Sequence, residues 1–242
     1  MYTIFHGCLS RNKNDCSNPE AISPNTECDR ILRELYPYEL GPGVFLDVGA
    51  GEPVFINNSY HFRKNGWQVI SIEANPIYCK LFRDENFEII ECAVADYEAS
   101  NREFDIYHWS GHMLSNSSLR PNSLKDLENI KTIKVEVKTI NSLLQQHYPN
   151  INKIHILSVD IEGGEIAALK GFDIKKYEPD VCCIEDWHTY YGAGAAKGIN
   201  SGRIEYMGAA KGINPELIEY METAGYECVR QNCCDTYWKR KD

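Results

Sequence analysis

Between residues 44 and 96 the chain alternates apolar runs with helical stretches: VFLDVGA at 44–50, SYHFRKNG at 59–66, QVISIEA at 68–74, PIYCKLFRDE at 76–85 and FEIIECAVAD at 87–96. The apolar runs have the length and the Val, Ile and Phe content of strands. Helix punctuation lies between them, with Gly66 closing one stretch and Pro76 opening the next at a favoured first position. No other feature constrains the fold as much. Parallel neighbours need a crossover, and crossovers carry helices. The expected class is α/β, with a mostly parallel central sheet and helices on both faces.

The rhythm breaks between 97 and 140, where EFDIYHW and TIKVEVKTI alternate apolar and polar residues with period two. Strands with one wetted face read this way, so an added β hairpin or edge pair is expected between the third and fourth core strands. Alternation resumes with KIHILSVD, helix EIAALK ended by Gly171, and strand DVCCIED at 180–186. Asn214 and Pro215 then start a helix, PELIEYMETAG, stopped by Gly225, before a final strand YECVRQ and a hydrophilic tail. Upstream, residues 1–25 read as an irregular arm, and Thr26 as the cap of helix CDRILRELY. Residues 26–242 are expected to form one domain.

Composition removes several function classes. A net charge of −10 and a pI near 5.2 argue against the clustered Lys and Arg that nucleic acid or an anionic membrane requires. No run approaches the ~20 apolar residues of a membrane span. The opening MYTIFHGCLSRNKN lacks a basic leader followed by an apolar stretch, so a cytoplasmic location is expected. Ten cysteines include the adjacent pairs Cys182-Cys183 and Cys233-Cys234, and neighbours on a strand point to opposite faces. With no CxxC pair, the set reads as reduced and structural. Cys8, Cys16 and Cys28 have no placement from the sequence.

Two stretches compete for a cofactor. In LDVGAGEP, Asp47 ends the first strand while Gly49 and Gly51 occupy the turn before the next helix, where backbone approaches ligand closely. A dinucleotide loop needs GxGxxG, but Val54 holds the third glycine position and Pro53 removes a donor. A cofactor without a pyrophosphate fits better, such as S-adenosylmethionine. Glu73 closes the second strand, 22 residues after Gly51, where a carboxylate accepts from both ribose hydroxyls.

The second stretch, after Tyr191, is richer in glycine but misses GxGxxG spacing by one residue. It is a tandem repeat: GAAKGINSGRIEYM at 194–207 and GAAKGINPELIEYM at 208–221 agree at 11 of 14 positions. The repeat reads as an insert, either a lid or acceptor-specificity element or a neutral duplicated loop.

SVDIEGGE at 158–165 places Asp160 and Glu162 on one side of an extended segment, suited to orient substrate, the sulfonium end of the cofactor or a divalent cation. IEDWHTYY follows the next strand with Glu185, Asp186 and His188. Ligands of open α/β sheets sit beyond the carboxyl ends of the strands, so the two groups should meet. His188 is then the candidate general base, and Asp160, Glu162 and Glu185 are the set a metal would take.

These segments resemble the FkbM-type methyltransferases. FLDVGAGEP is similar to that family's first motif, with Gly51 where Asn is frequent; NNSYHFRKNGWQVISIEANP resembles its next block, and VKTINSLL followed by LSVDIEGGEIAALKGF its most characteristic segment. The likeness covers roughly residues 44–190. It implies a Rossmann-like class I methyltransferase fold and use of S-adenosylmethionine, commonly to methylate hydroxyls on sugars or other small molecules. By the same likeness Asp47, Gly49, Gly51 and Glu73 bind the cofactor, Ala93 and Val94 flank its adenine, and Asp160 and Glu162 lie at the active site. Two other readings stand beside this one: an NAD-dependent oxidoreductase or epimerase, and a non-catalytic cofactor-binding or interaction protein.

Overall fold

The computed structural model describes residues 27–36, 40–54, 57–106, 131–186, 212–232 and 235–241. The arm at 1–25, Thr26, His188 and most of the repeat lie outside them. Ten strands are described: β1 Val44–Val48, β2 Gln68–Glu73, β3 Ile90–Glu91, β4 Ala93–Val94, β5 Ala99–Ile106, β6 Lys131–Lys138, β7 Ile156–Val159, β8 Val181–Glu185, β9 Tyr226–Asn232 and β10 Asp235–Arg240. The helices are α1 Glu27–Leu35, α2 Tyr60–Lys64, α3 Pro76–Asp84, α4 Ile140–His147, α5 Glu165–Lys170, α6 Ile174–Tyr177 and α7 Pro215–Thr223. None is long and apolar enough to cross a membrane.

Seven strands form one sheet in the order β3-β2-β1-β7-β8-β10-β9. The first five are parallel, and β10 runs antiparallel to both of its neighbours. Side chains along each strand divide between two apolar clusters with period two. Leu46, Val48, Leu157, Val159, Cys182 and Ile184 join one cluster, with Leu143 of α4, Leu169 of α5, Tyr177 of α6 and Met221 of α7. Phe45, Ile156, Val181 and Cys183 join the other, with Ile31 and Leu32 of α1 and Phe62 of α2. The mostly parallel sheet is thus covered on both faces. Burial rather than propensity makes the five-residue α2 a helix, since a single turn is unstable alone. Phe62 is fully buried, packed edge-on against Trp67 at 5.0 Å.

Two expectations change. FEIIECAVAD is not one strand: Ile90–Glu91 pairs with β2, whereas Ala93–Val94 leaves the sheet to pair with β6. Cys92 stands at the break, its N–H still donating to the Glu73 carbonyl at 2.9 Å. β5 and β6 pair antiparallel, and with β4 they form a separate three-stranded sheet in the order β4-β6-β5. The hydrophilic tail, in turn, contains a strand. Thr236, Tyr237 and Trp238 of β10 are buried between β8 and β9. Asp235 is buried with them, and four successive buried residues that open on an acid and run into Lys239 and Arg240 display no period.

Cys28, which the sequence left unplaced, lies on α1 and donates through Sγ to Asp235 Oδ2 of β10 at 3.1 Å. Ligand-type atoms of Cys28, Cys183 and Asp235 lie within 4.8 Å of one another, all three residues buried. The absence of CxxC spacing hid this cluster, because its members come from three distant segments.

Candidate active site

The carboxyl ends of β1, β2, β7 and β8 meet at one edge of the sheet, and each contributes a loop or terminal acid. After β1, the N–H groups of Gly49 and Ala50 both donate to the Ile72 carbonyl, at 2.9 and 3.1 Å. Gly49 has φ +79°, and a Cβ there would lie 1.7 Å from the Asp160 carbonyl oxygen. This contact seats the glycine loop directly against the β7–α5 loop, and only glycine permits it. Gly51 also has positive φ, +59°, but a Cβ there would meet nothing within 4 Å.

Glu73 binds the loop from the side. Its Oε2 accepts from Gly51 N at 2.9 Å and its Oε1 from Asn75 N at 2.7 Å. Both carboxylate oxygens of Glu73 are thus engaged with backbone N–H groups of the loop and of the turn after β2. Asn57 braces the same loop through its amide, donating to the carbonyls of Ala50 and Glu52 at 2.9 Å each. Asp47 is buried beneath, its Oδ2 accepting from Ser59 Oγ at 2.6 Å. Burial pushes its pKa up to about 6, with Ser59, Arg63 and Asn57 offsetting only part of that cost. Asp47 therefore supports the loop from below, while Gly51 and Glu73 form its rim.

The second half is acidic. Asp160 N donates to the Val48 carbonyl at 2.9 Å, which carries the β1–β7 pairing into the loop. Glu162 follows in a left-handed conformation, φ +61°, uncommon for a side chain with a Cβ. Glu165, buried at the start of α5, closes the loop by accepting from Ile161 N at 3.1 Å and Gly163 N at 2.8 Å through Oε1. Burial raises its pKa to about 7. Glu185 closes β8 and is 2% exposed. Burial above all, then the nearby charges of Asp160, Glu162, Glu165 and Asp235, hold its carboxyl well above the usual range. One oxygen each from Asp160, Glu162 and Glu185 lies within 4.8 Å of the others.

The expected meeting of the two acidic stretches is therefore present for Asp160, Glu162 and Glu185, and the Gly49 contact ties them to the glycine loop. Asp186 turns away: its Oδ2 accepts from Asn214 N at 2.8 Å, at the start of α7. Ala93 and Val94 are buried in β4, Ala93 in a small cluster with Ala74 after β2 and Val94 in the main core. His188 lies outside the described residues. His61 is buried, its pKa lowered to about 4 first by burial and then by Arg33. His155 accepts from Val44 N at 2.9 Å, at the opposite end of β1. Neither can act as the base here.

Sequence reasoning missed the bracing role of Asn57 and the closing role of Glu165. An Asn before a short helix and an acid in a first helical turn are ordinary signals, and only loop closure gives them these partners. All ionisable side chains in LDVGAGEP, EAN, SVDIEGGE and IED are carboxylates. A pyrophosphate there would meet like charge, whereas a ligand carrying a sulfonium and an ammonium group would meet opposite charge. The model of the methyltransferase FkbM domain matches residues 47–228. No curated protein matches the chain.

Proposed function

Given that the chain belongs to the FkbM methyltransferase family, we propose that it transfers a methyl group from S-adenosylmethionine to a hydroxyl of a sugar, glycan or other small molecule, on a Rossmann-like class I fold. The observation that carries this reading is the Gly49–Gly51 loop, fastened to Glu73 by the 2.9 Å Gly51 N–H bond and set against an acidic rather than a phosphate-binding loop.

Bound S-adenosylmethionine supplies a methyl group already activated by positive sulfur, so the chain's tasks are to hold, align and deprotonate. Glu73, at the carboxyl end of β2, would accept from the ribose hydroxyls. Gly49 and Gly51 bring the backbone close, with Asp47, Ser59 and Asn57 fixing the loop beneath them. Ala93 and Val94 offer an apolar flank for adenine, and Asp160 faces the cationic end. The acceptor's proton goes to His188 or to a carboxylate at 160 or 162. A divalent cation held by Asp160, Glu162 and Glu185 belongs to the same reading, as does action in the cytoplasm, which the buried, unbridged thiols of Cys79, Cys92, Cys182 and Cys183 support.

Calorimetry of the full chain with S-adenosylmethionine and its demethylated product tests the cofactor, and a radiolabelled methyl donor with a panel of hydroxylated acceptors tests the reaction. Binding of both cofactor forms, weakened severely in Glu73→Ala, is the expected result. Absence of binding to either form would overturn the proposal.

A further inference from the structure

We propose that Asp160, Glu162 and Glu185 form a hard divalent-cation site, for Mg²⁺ or Mn²⁺, whose open positions take a pair of neighbouring oxygens on the methyl acceptor. The role given to the acceptor rests on the methyl-transfer reading; the cation site does not.

Geometry comes first. The three carboxylate oxygens converge from two separate segments, the loop after β7 and the end of β8, and lie within 4.8 Å of one another. Oxygen ligands at about 2.0–2.6 Å from a shared cation stand at most about 4–5 Å apart, so the triad matches the span of one coordination sphere. All-oxygen, all-carboxylate donors select Mg²⁺, Mn²⁺ or Ca²⁺ over softer metals.

The second observation concerns Glu185 alone. It is 2% exposed, and its Oε2, fully shielded from solvent, has no hydrogen-bond partner among the described residues. A buried carboxylate oxygen without a donor is costly, and native structures seldom leave one without a protein, water or ion partner. The charges that act on it most strongly are those of other carboxylates, Asp160 and Glu162 first. A bound divalent ion would satisfy that oxygen and offset the repulsion within the triad.

Placement gives the site its use. The Asp160 carbonyl packs against Gly49 of the proposed cofactor loop, so an ion on the Asp160 carboxylate would sit beside the methyl donor. Three protein oxygens leave about three positions of an octahedral shell for water or substrate. An acceptor presenting two adjacent oxygens, such as a vicinal diol or a 2-hydroxy acid, fills two of them. The ion would then orient the hydroxyl and lower its pKa, the proton passing to solvent while Asp160 and Glu162 stay on the ion.

The test uses the full chain stripped with chelator and titrated with Mn²⁺, free ion being read by electron paramagnetic resonance. One bound Mn²⁺ per chain is expected, displaced by Mg²⁺, with affinity at least about tenfold weaker in both Glu185→Gln and Glu162→Gln. Glu162 is partly exposed, which guards against a folding failure at Glu185; thermal melts in chelator should show both variants folded. A wild-type chain that retains no Mn²⁺, or a folded Glu162→Gln variant that binds as well as wild type, would overturn the site. Binding of S-adenosylhomocysteine in chelator is measured separately. If it fails while Mn²⁺ binds, the methyltransferase reading falls and the cation site stands. With both bound, diol acceptors should be turned over in Mg²⁺ and lost in chelator; equal turnover in chelator would overturn the acceptor role.

Discussion

Gly49 and Gly51 share a positive φ, yet their surroundings differ, and that difference can be measured. Alanine at 49 must carry both the backbone strain and a clash of Cβ with the Asp160 carbonyl at 1.7 Å; alanine at 51 carries the strain alone. Gly51→Ala should cost about 1–2 kcal/mol of stability in urea unfolding. Gly49→Ala should cost more than about 3 kcal/mol, or displace the β7–α5 loop and cofactor binding with it. Asp47 offers a second residue-level test. Its carboxyl is raised from 3.8 to about 6 in the fold, so the stability present below about pH 4 is lost as the pH rises through 6. Asp47→Asn removes that loss, and should gain on wild type by up to about 3 kcal/mol between pH 4 and 8 in paired unfolding curves. A pH-independent difference would mean that Asp47 is not held neutral. The sequence disclosed the acids and glycines themselves because spacing at strand ends is local. It did not disclose that Asp47 points down to Ser59, since that depends on α2 packing over β1.

At the scale of elements, several helices are tied to the site through their first turns. Asn75 caps α3 by accepting from Ile77 N at 3.0 Å, and its own N–H holds Glu73. Asn75→Ala removes the cap but keeps the backbone bond. It should therefore destabilise by about 1 kcal/mol in urea unfolding while leaving S-adenosylhomocysteine affinity nearly unchanged in calorimetry. Thr139 caps α4 in the same way, its side chain accepting from Ser142 N at 3.1 Å, and serves as a second cap for comparison. The core strands and most helices were legible because Pro, Gly and apolar runs punctuate them. The split at Cys92 was not, for the run FEIIECAVAD is apolar on both sides of the break and only its two different partners divide it.

For the whole molecule, the sheet grows outward from β1, to β2 and β3 on one side and to β7 and β8 on the other, and then the order inverts: β10 lies between β8 and β9. Trp238 is 1% exposed and packs in the larger cluster, its Nε1 donating to Thr236 Oγ1 at 2.9 Å. Trp238→Ala should cost about 3–5 kcal/mol in urea unfolding, as much as a substitution at the sheet's centre; a cost near that of a surface position would show that β10 is peripheral. The inversion also orders events in time. As the chain is synthesised, β8 precedes its native edge partner β10, so that edge has no native cover until residues 235–240 arrive. An uncovered edge made of VCCIE is a template for a second nascent chain. The interval between residues 185 and 235, which spans the tandem repeat, is thus a window of exposure during folding. Each residue added to that segment lengthens the wait before the sheet can close.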